Sequence, residues 1–240
     1  MKIAICYFGL LRSLKKVYKT HIEKIFNELT NNDISYDIFL HSWKTENNIQ
    51  YVWENTINIK QDYEIPQEIN NKIVNKRFEY QNDFLSSIDF SKYFYEDEYK
   101  KYGERKEWRP QLIKNHLCAL ESMKRVLNMV KNNGKSYDFI MLLRPDVEIN
   151  NKIPIIQIKK HLLENSNGIC VPKYDSYEGY NDRFAVTNIS SADKFFERID
   201  EIVDFRKTNG RIVSEKYTKF IIDKYYKVNL IDFQFKIIRP

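Results

Sequence analysis

The chain is predicted to fold as one α/β domain, with a mostly parallel central sheet flanked by helices. Three observations predict it. The first 43 residues read strand, helix, strand, the opening of a βαβ unit whose right-handed crossover makes the two strands parallel neighbours. A second long amphipathic helix leads directly into an apolar run, Phe139–Leu143, of the length of a strand buried on both faces. That run stops in charge, Arg144-Pro145-Asp146-Val147-Glu148, where open α/β sheets place their ligand crevices.

Lys2–Phe8 is the first strand, closed by Gly9. Ser13 is placed to cap a helix whose core-facing positions, Leu14, Val17, Tyr18, His21, Ile22, Ile25 and Leu29, recur at i, i+3 and i+4. Tyr36–Trp43 (YDIFLHSW) is the second buried strand. Lys44–Glu107 is polar and irregular, with a short helix expected near Pro66–Asn75. Trp108-Arg109-Pro110 opens the second long helix, whose stripe is Leu112, His116, Leu120, Met123, Leu127 and Val130. Asn132-Asn133-Gly134 ends it, the glycine suiting a left-handed cap. Ile169–Pro172 reads as a short strand. Ser190 and Asp193 form a plausible capping pair for a helix carrying Phe195, Phe196, Ile199, Ile202 and Val203. Ser214 heads a last helix through Tyr226, and Val228–Ile231 and Phe235–Ile238 are strand-like. No repeat and no long linker divides the chain. Residues 1–43 form the opening, 44–107 an insertion and 108–240 the half that carries most of the chemistry.

Composition narrows the function classes. Hydrophobic residues at 42% and aromatic residues at 15% argue against disorder. No apolar run approaches the roughly 20 residues of a membrane span, and no secretory leader is apparent, so a cytoplasmic protein with at most peripheral membrane contact is expected. Cys6, Cys118 and Cys170 are few and far apart, which suggests reduced thiols, and the four histidines lack zinc-ligand spacing. The net charge of +6 would suit a polyanionic partner. The chain is, however, rich in Lys, Asn and Ile, as AT-rich coding sequence favours, and the global charge decides little.

Five places can carry chemistry. On an extended backbone Arg144, Asp146 and Glu148 share a face. Asp146, assisted by Glu148, can ligate a divalent cation such as Mn²⁺ or Mg²⁺, and Arg144 can neutralise phosphate or orient the aspartate. The bland alternative is a structural Arg144–Asp146 ion pair. Gly9 lets backbone approach a ligand at a helix N-terminus, with Arg12 as a bidentate phosphate donor; the alternative is a turn that needs glycine anyway. In Tyr180–Asn188, Asn181, Asp182 and Arg183 sit between two apolar segments on an expected loop beside the sheet, where Asp182 can deprotonate an acceptor hydroxyl or simply belong to an Asx turn. Glu215, in the first turn of its helix, is the second candidate base or merely favourable to the helix dipole. Trp43 at a strand end can stack on a base or sugar, or pack in the core.

The apolar strand ending in Arg144-Pro145-Asp146 resembles the Asp-x-Asp arrangement of GT-A-fold glycosyltransferases, with Arg144 in the first acidic position and Asp146 in the second. Gly9-Leu10-Leu11-Arg12 resembles the nucleotide-sugar loop of that fold. YDIFLHSW and GYNDRFAVTN resemble segments of small Arg-Pro-Asp-type glycosyltransferase-like proteins of bacterial polysaccharide loci and large DNA viruses. The resemblance spans most of the chain apart from Lys44–Glu107. It implies a GT-A-like domain that moves a sugar from a nucleotide-diphosphate donor to an acceptor hydroxyl of a glycan. Arg12, Gly9, Trp43 and Arg144 would bind the donor, Asp146 and Glu148 a cation, and Asp182 or Glu215 would serve the acceptor. Arginine in an acidic position leaves open whether a cation is used.

Two other readings compete. Pro145-Asp146 followed by Gln157-Ile158-Lys159 imitates a PD-(D/E)xK nuclease, although Gln157 replaces the second carboxylate and no nucleic acid partner is expected. An inactive nucleotide-sugar-binding module would keep the fold without turnover.

Overall fold

The computed structural model describes residues 1–45, 63–95 and 109–239. Trp108 and much of the expected insertion lie outside them. β1 (Lys2–Tyr7) is followed by α1 (Leu14–His21), which runs on through a π-helical segment at Ile22–Phe26 into α2 (Asn27–Asn31). β2 (Ser35–Lys44), α3 (Gln67–Asn70), β3 (Ile73–Tyr80) and α4 (Gln81–Ser87) come next. The long helix α5 (Arg109–Lys131) leads into β4 (Phe139–Leu143), β5 (Val147–Ile149) and α6 (Ile155–Glu164). β6 (Gly168–Pro172), β7 (Phe184–Asn188), α7 (Ala192–Phe196), α8 (Ile202–Asn209), α9 (Ser214–Tyr225), β8 (Lys227–Ile231) and β9 (Phe235–Ile237) complete the order.

Seven strands form one sheet in the order β3-β2-β1-β4-β7-β6-β8. β3, β2, β1 and β4 are parallel neighbours, β7 runs antiparallel to both β4 and β6, and β8 is parallel to β6. The sheet is therefore mixed, and its parallel half carries the expected opening. β1 and β4 are buried along nearly their whole length because helices cover both faces. Leu14, Ile25 and Phe26 pack with Ile5, Met141 and Ile158 on one face. Ile113, Leu117, Leu120 and Leu127 of α5 pack with Cys6, Phe39 and Leu142 on the other. From β1 the chain moves outward to β2 and β3, then returns to place β4 on β1's other side. The order reverses between β1 and β4, which puts a crevice at their carboxyl ends.

Several local expectations give way to tertiary contacts. The Pro66–Asn75 helix is only Gln67–Asn70, and Ile73–Tyr80 is an edge strand on β2; its run KRFEY alternates too weakly to announce itself. Asn181–Arg183 lie in a loop beside the sheet, as expected, and the apolar segment after them, Phe184–Asn188, is the interior strand β7. Ser13 does not cap α1; its hydroxyl donates to the carbonyl of Ile238. The helix expected from Ser190 is broken, α7 and α8 being joined by a 3₁₀ turn at Arg198–Glu201, and the residue before α7, Ser191, makes no side-chain capping bond. Gly134 does adopt the left-handed conformation expected at the end of α5, with φ 74°.

Candidate active site

Asp146, one residue into the turn after β4, is 1% exposed and held by two arginines. Arg144 donates to both of its oxygens, from Nε at 2.9 Å and from Nη2 at 2.6 Å. Arg12 donates from Nη1 to Oδ2 at 3.1 Å. Burial raises the pKa of Asp146, but the charges of Arg144 and Arg12 outweigh it and hold the carboxyl below its ordinary range. Arg12 reaches the aspartate from the first turn of chain after β1 and has φ 48°, a left-handed conformation that costs a non-glycine residue of order 1 kcal/mol. The Arg12–Asp146–Arg144 cluster thus sits at the reversal point of the sheet.

Glu148 does not join it. The backbone turns at Pro145-Asp146 instead of continuing extended, so the alternation that would have aligned Glu148 with Arg144 and Asp146 is broken. Glu148 lies on β5, opposite Lys236 of β9, with an ion pair of 2.7 Å. Among the described residues no group of three His, Cys, Asp or Glu side chains stands together to hold a metal. A cation on Asp146 would also sit against two guanidinium charges, whose repulsion works against its binding. The donor set as arranged does not suit Mn²⁺ or Mg²⁺.

Trp43 is not a ligand platform either. It is 1% exposed, stacks on Phe84 and donates Nε1–H to the Cys118 carbonyl at 2.8 Å. Its apolar body is used in the core. Gly9 has φ 88°, and no heavy atom lies within 4 Å of the place a Cβ would take. Its N–H is turned inward, however, donating to Ser122 Oγ at 2.8 Å.

The antiparallel register of β7 on β4 brings Asp182 and Arg183 to the same edge. Leu143 faces Phe184, and Arg144 N–H donates to the Arg183 carbonyl at 3.1 Å. Buried Asn181 makes the Asx turn that the sequence allowed, its Oδ1 accepting from Arg183 N–H at 3.0 Å. Asp182 takes a hydrogen bond from the Ser214 hydroxyl, at the start of α9. The guanidinium of Arg183 stands 3.7 Å from Asp182 Oδ1 and 3.7 Å from Glu215 Oε1. Both candidate bases therefore belong to one cluster with Arg183, next to Arg144.

Their environments push them apart. Burial raises Asp182, but Arg183, the Ser214 hydroxyl and Arg144 outweigh it and leave the carboxyl below its ordinary range. Glu215 is raised to about 7, first by burial and then by the charge of Asp182, against the pull of Arg183. Opposite shifts in a neighbouring pair are the pattern of an acid–base assignment. Glu215 also has a neighbour the sequence did not announce. Gly179, in a loop where Asp175, Tyr177 and Glu178 all have positive φ, packs onto its backbone, and a Cβ there would lie 2.0 Å from the Glu215 carbonyl oxygen. Gly179→Ala is expected to part loop from helix, costing about 1–3 kcal/mol in urea unfolding. The displacement should also return Glu215 toward its ordinary pKa, read from the pH dependence of stability.

The second half of the nuclease-like pattern falls elsewhere. Gln157 and Lys159 lie on α6, and Lys159 lines a groove with Asn32 and Ile34. Those two residues precede β2, whereas Asp146 follows β4, so Lys159 stands at the opposite end of the parallel strands. Among the described residues no helix is long and apolar enough to cross a membrane. No known family model matches this chain, and no curated protein is significantly similar to it.

Proposed function

We propose that the protein is a glycosyltransferase of GT-A-like type, which moves a sugar from a nucleotide-diphosphate donor to an acceptor hydroxyl. The observation that carries the reading is the split carboxylate pair, Asp182 and Glu215, beside arginines at the reversal point between β1 and β4. The guanidinium groups of Arg12 and Arg144, both on Asp146, are the cations placed to meet a diphosphate leaving group.

Glu215, with a pKa of about 7, is matched to take a proton at neutral pH. The acceptor oxygen bonds to the anomeric carbon as the carbon–oxygen bond to the diphosphate breaks. The hydroxyl proton passes to Glu215, and the bonding electrons leave with the diphosphate, against Arg12 and Arg144. Asp182 stays ionised and keeps Glu215's pKa high. A base acting directly on the acceptor suits an inverting reaction.

The reading is tested by thermal shift against UDP-, GDP-, CMP- and TDP-linked sugars, each with and without Mn²⁺ or Mg²⁺, followed by turnover assays on any hit. A ligand at a hundred times its dissociation constant stabilises by about 2.7 kcal/mol. Stabilisation by a sugar nucleotide without added metal, with turnover, is expected. Stabilisation by short DNA duplexes alone would favour the nuclease, and binding without turnover an inactive module.

A further inference from the structure

We propose that Ser122, His41 and Glu79 form a latch, buried at Ser122 and His41 and half-buried at Glu79, that sets the position of the Gly9 turn and, on the nucleotide reading above, of the donor edge it carries. The chain of contacts is continuous. Gly9 N–H donates to Ser122 Oγ at 2.8 Å; Ser122 Oγ lies 2.7 Å from His41 Nδ1; His41 Nε2 lies 2.8 Å from Glu79 Oε2. Arg125 closes the outer end, donating to the same Glu79 oxygen at 2.6 Å while its guanidinium lies over the Trp43 ring.

The direction of each bond follows from charge. Burial raises Glu79's pKa, but Arg125 and His41 outweigh it and keep the carboxyl ionised, so it only accepts. Nε2 of His41 must then carry a hydrogen. Burial pushes the His41 pKa down to about 4, so the ring is neutral near pH 7 and Nδ1 is an acceptor. The Ser122 hydroxyl donates to it and keeps a lone pair for Gly9 N–H.

Serine, histidine and a carboxylate in series are also the parts of a hydrolase triad. Ser122 and His41 are both 0% exposed, and the serine oxygen already accepts from Gly9, so no substrate reaches it. These are positioning residues. Gly9 is held from behind at both polar groups, since its carbonyl accepts from Trp43 N–H at 3.3 Å, while the side where a Cβ would stand is open. Arg12, three residues on, takes its place from the same turn.

Ser122→Ala removes the link between turn and relay. The test is hydrogen exchange by mass spectrometry on peptides spanning residues 7–13, with titration of UDP and GDP. The expected result is faster exchange across the turn and a dissociation constant for the bound diphosphate raised about tenfold, the scale of one lost hydrogen bond. Glu79→Gln, which retains an acceptor for His41, should hold both values close to wild type. If Ser122→Ala does not fold, His41→Leu, which deletes the relay's middle member, is read in the same way. Unchanged exchange across the turn overturns the latch; faster exchange with unchanged diphosphate affinity overturns its role in positioning. If wild-type protein binds neither diphosphate, exchange alone decides the latch, and the nucleotide reading is decided by the thermal-shift panel of sugar nucleotides.

Discussion

Glu215→Gln is expected to abolish turnover, by at least about 100-fold, while making the protein more stable above neutral pH. The two effects have one cause. Burial and the charge of Asp182 raise Glu215 from an ordinary glutamate value near 4.5 to about 7. A carboxyl whose folded pKa is raised contributes stability that is fully present below its unfolded pKa and is lost as pH rises through the folded one. Between about pH 4.5 and 7 the wild-type protein therefore gives up stability, on the order of 2 kcal/mol, and above 7 it carries a buried charge that an amide would not. Glutamine keeps the shape without the charge. Urea midpoints from pH 4 to 9 should show a falling wild-type curve and a flatter variant curve that crosses it. Wild-type turnover should rise with pH through about 7, since a base must be unprotonated to act. Turnover that survives in the glutamine variant removes Glu215 from the chemistry, whatever its effect on stability.

Asp146→Asn is expected to keep the fold but lose about 2–3 kcal/mol of stability and at least about 100-fold in turnover. Removing one member of a buried ion pair leaves its partners uncompensated, which costs roughly 3–5 kcal/mol when burial is complete. Partial exposure of the Arg12 and Arg144 side chains, 17% and 22%, reduces it. The turnover loss follows from geometry, because an amide accepts fewer guanidinium bonds and small displacements of positioning groups cost about that factor. Asp146 has a depressed pKa, so its stabilisation is present above the ordinary aspartate value near 3.8 and is lost as pH falls through the lower folded one. The asparagine variant should therefore lack part of the wild-type acid transition. Unchanged circular dichroism with wild-type turnover would reduce Asp146 to a structural role.

Periodicity made the opening legible. The β1–α1–β2 unit, the long helix and the buried run Phe139–Leu143 each obey one spacing over enough residues to stand out. The charged end of that run, with Gly9 and Arg12, was legible for the same reason, since ligand crevices follow from parallel strands. β3, β7 and β5 were not: β3 alternates too weakly along KRFEY, and β5 and β7 are segments of only a few residues whose strand character comes from their pairing.

What the sequence determined by itself was a parallel α/β opening and the residue types that could act at its mouth. What only the tertiary structure decided was their assignment. The turn at Pro145 turned Glu148 away to Lys236, helix packing enclosed Trp43, and the antiparallel register of β7 brought Asp182 beside Arg144. As letters in a chain, Asp182 was the first candidate base and Glu215 the second. Burial and the fixed positions of Arg183, Arg144 and Ser214 drove one pKa down and the other up to about 7, because acidity depends on desolvation and on charge at a distance, and both exist only once the chain has closed on itself.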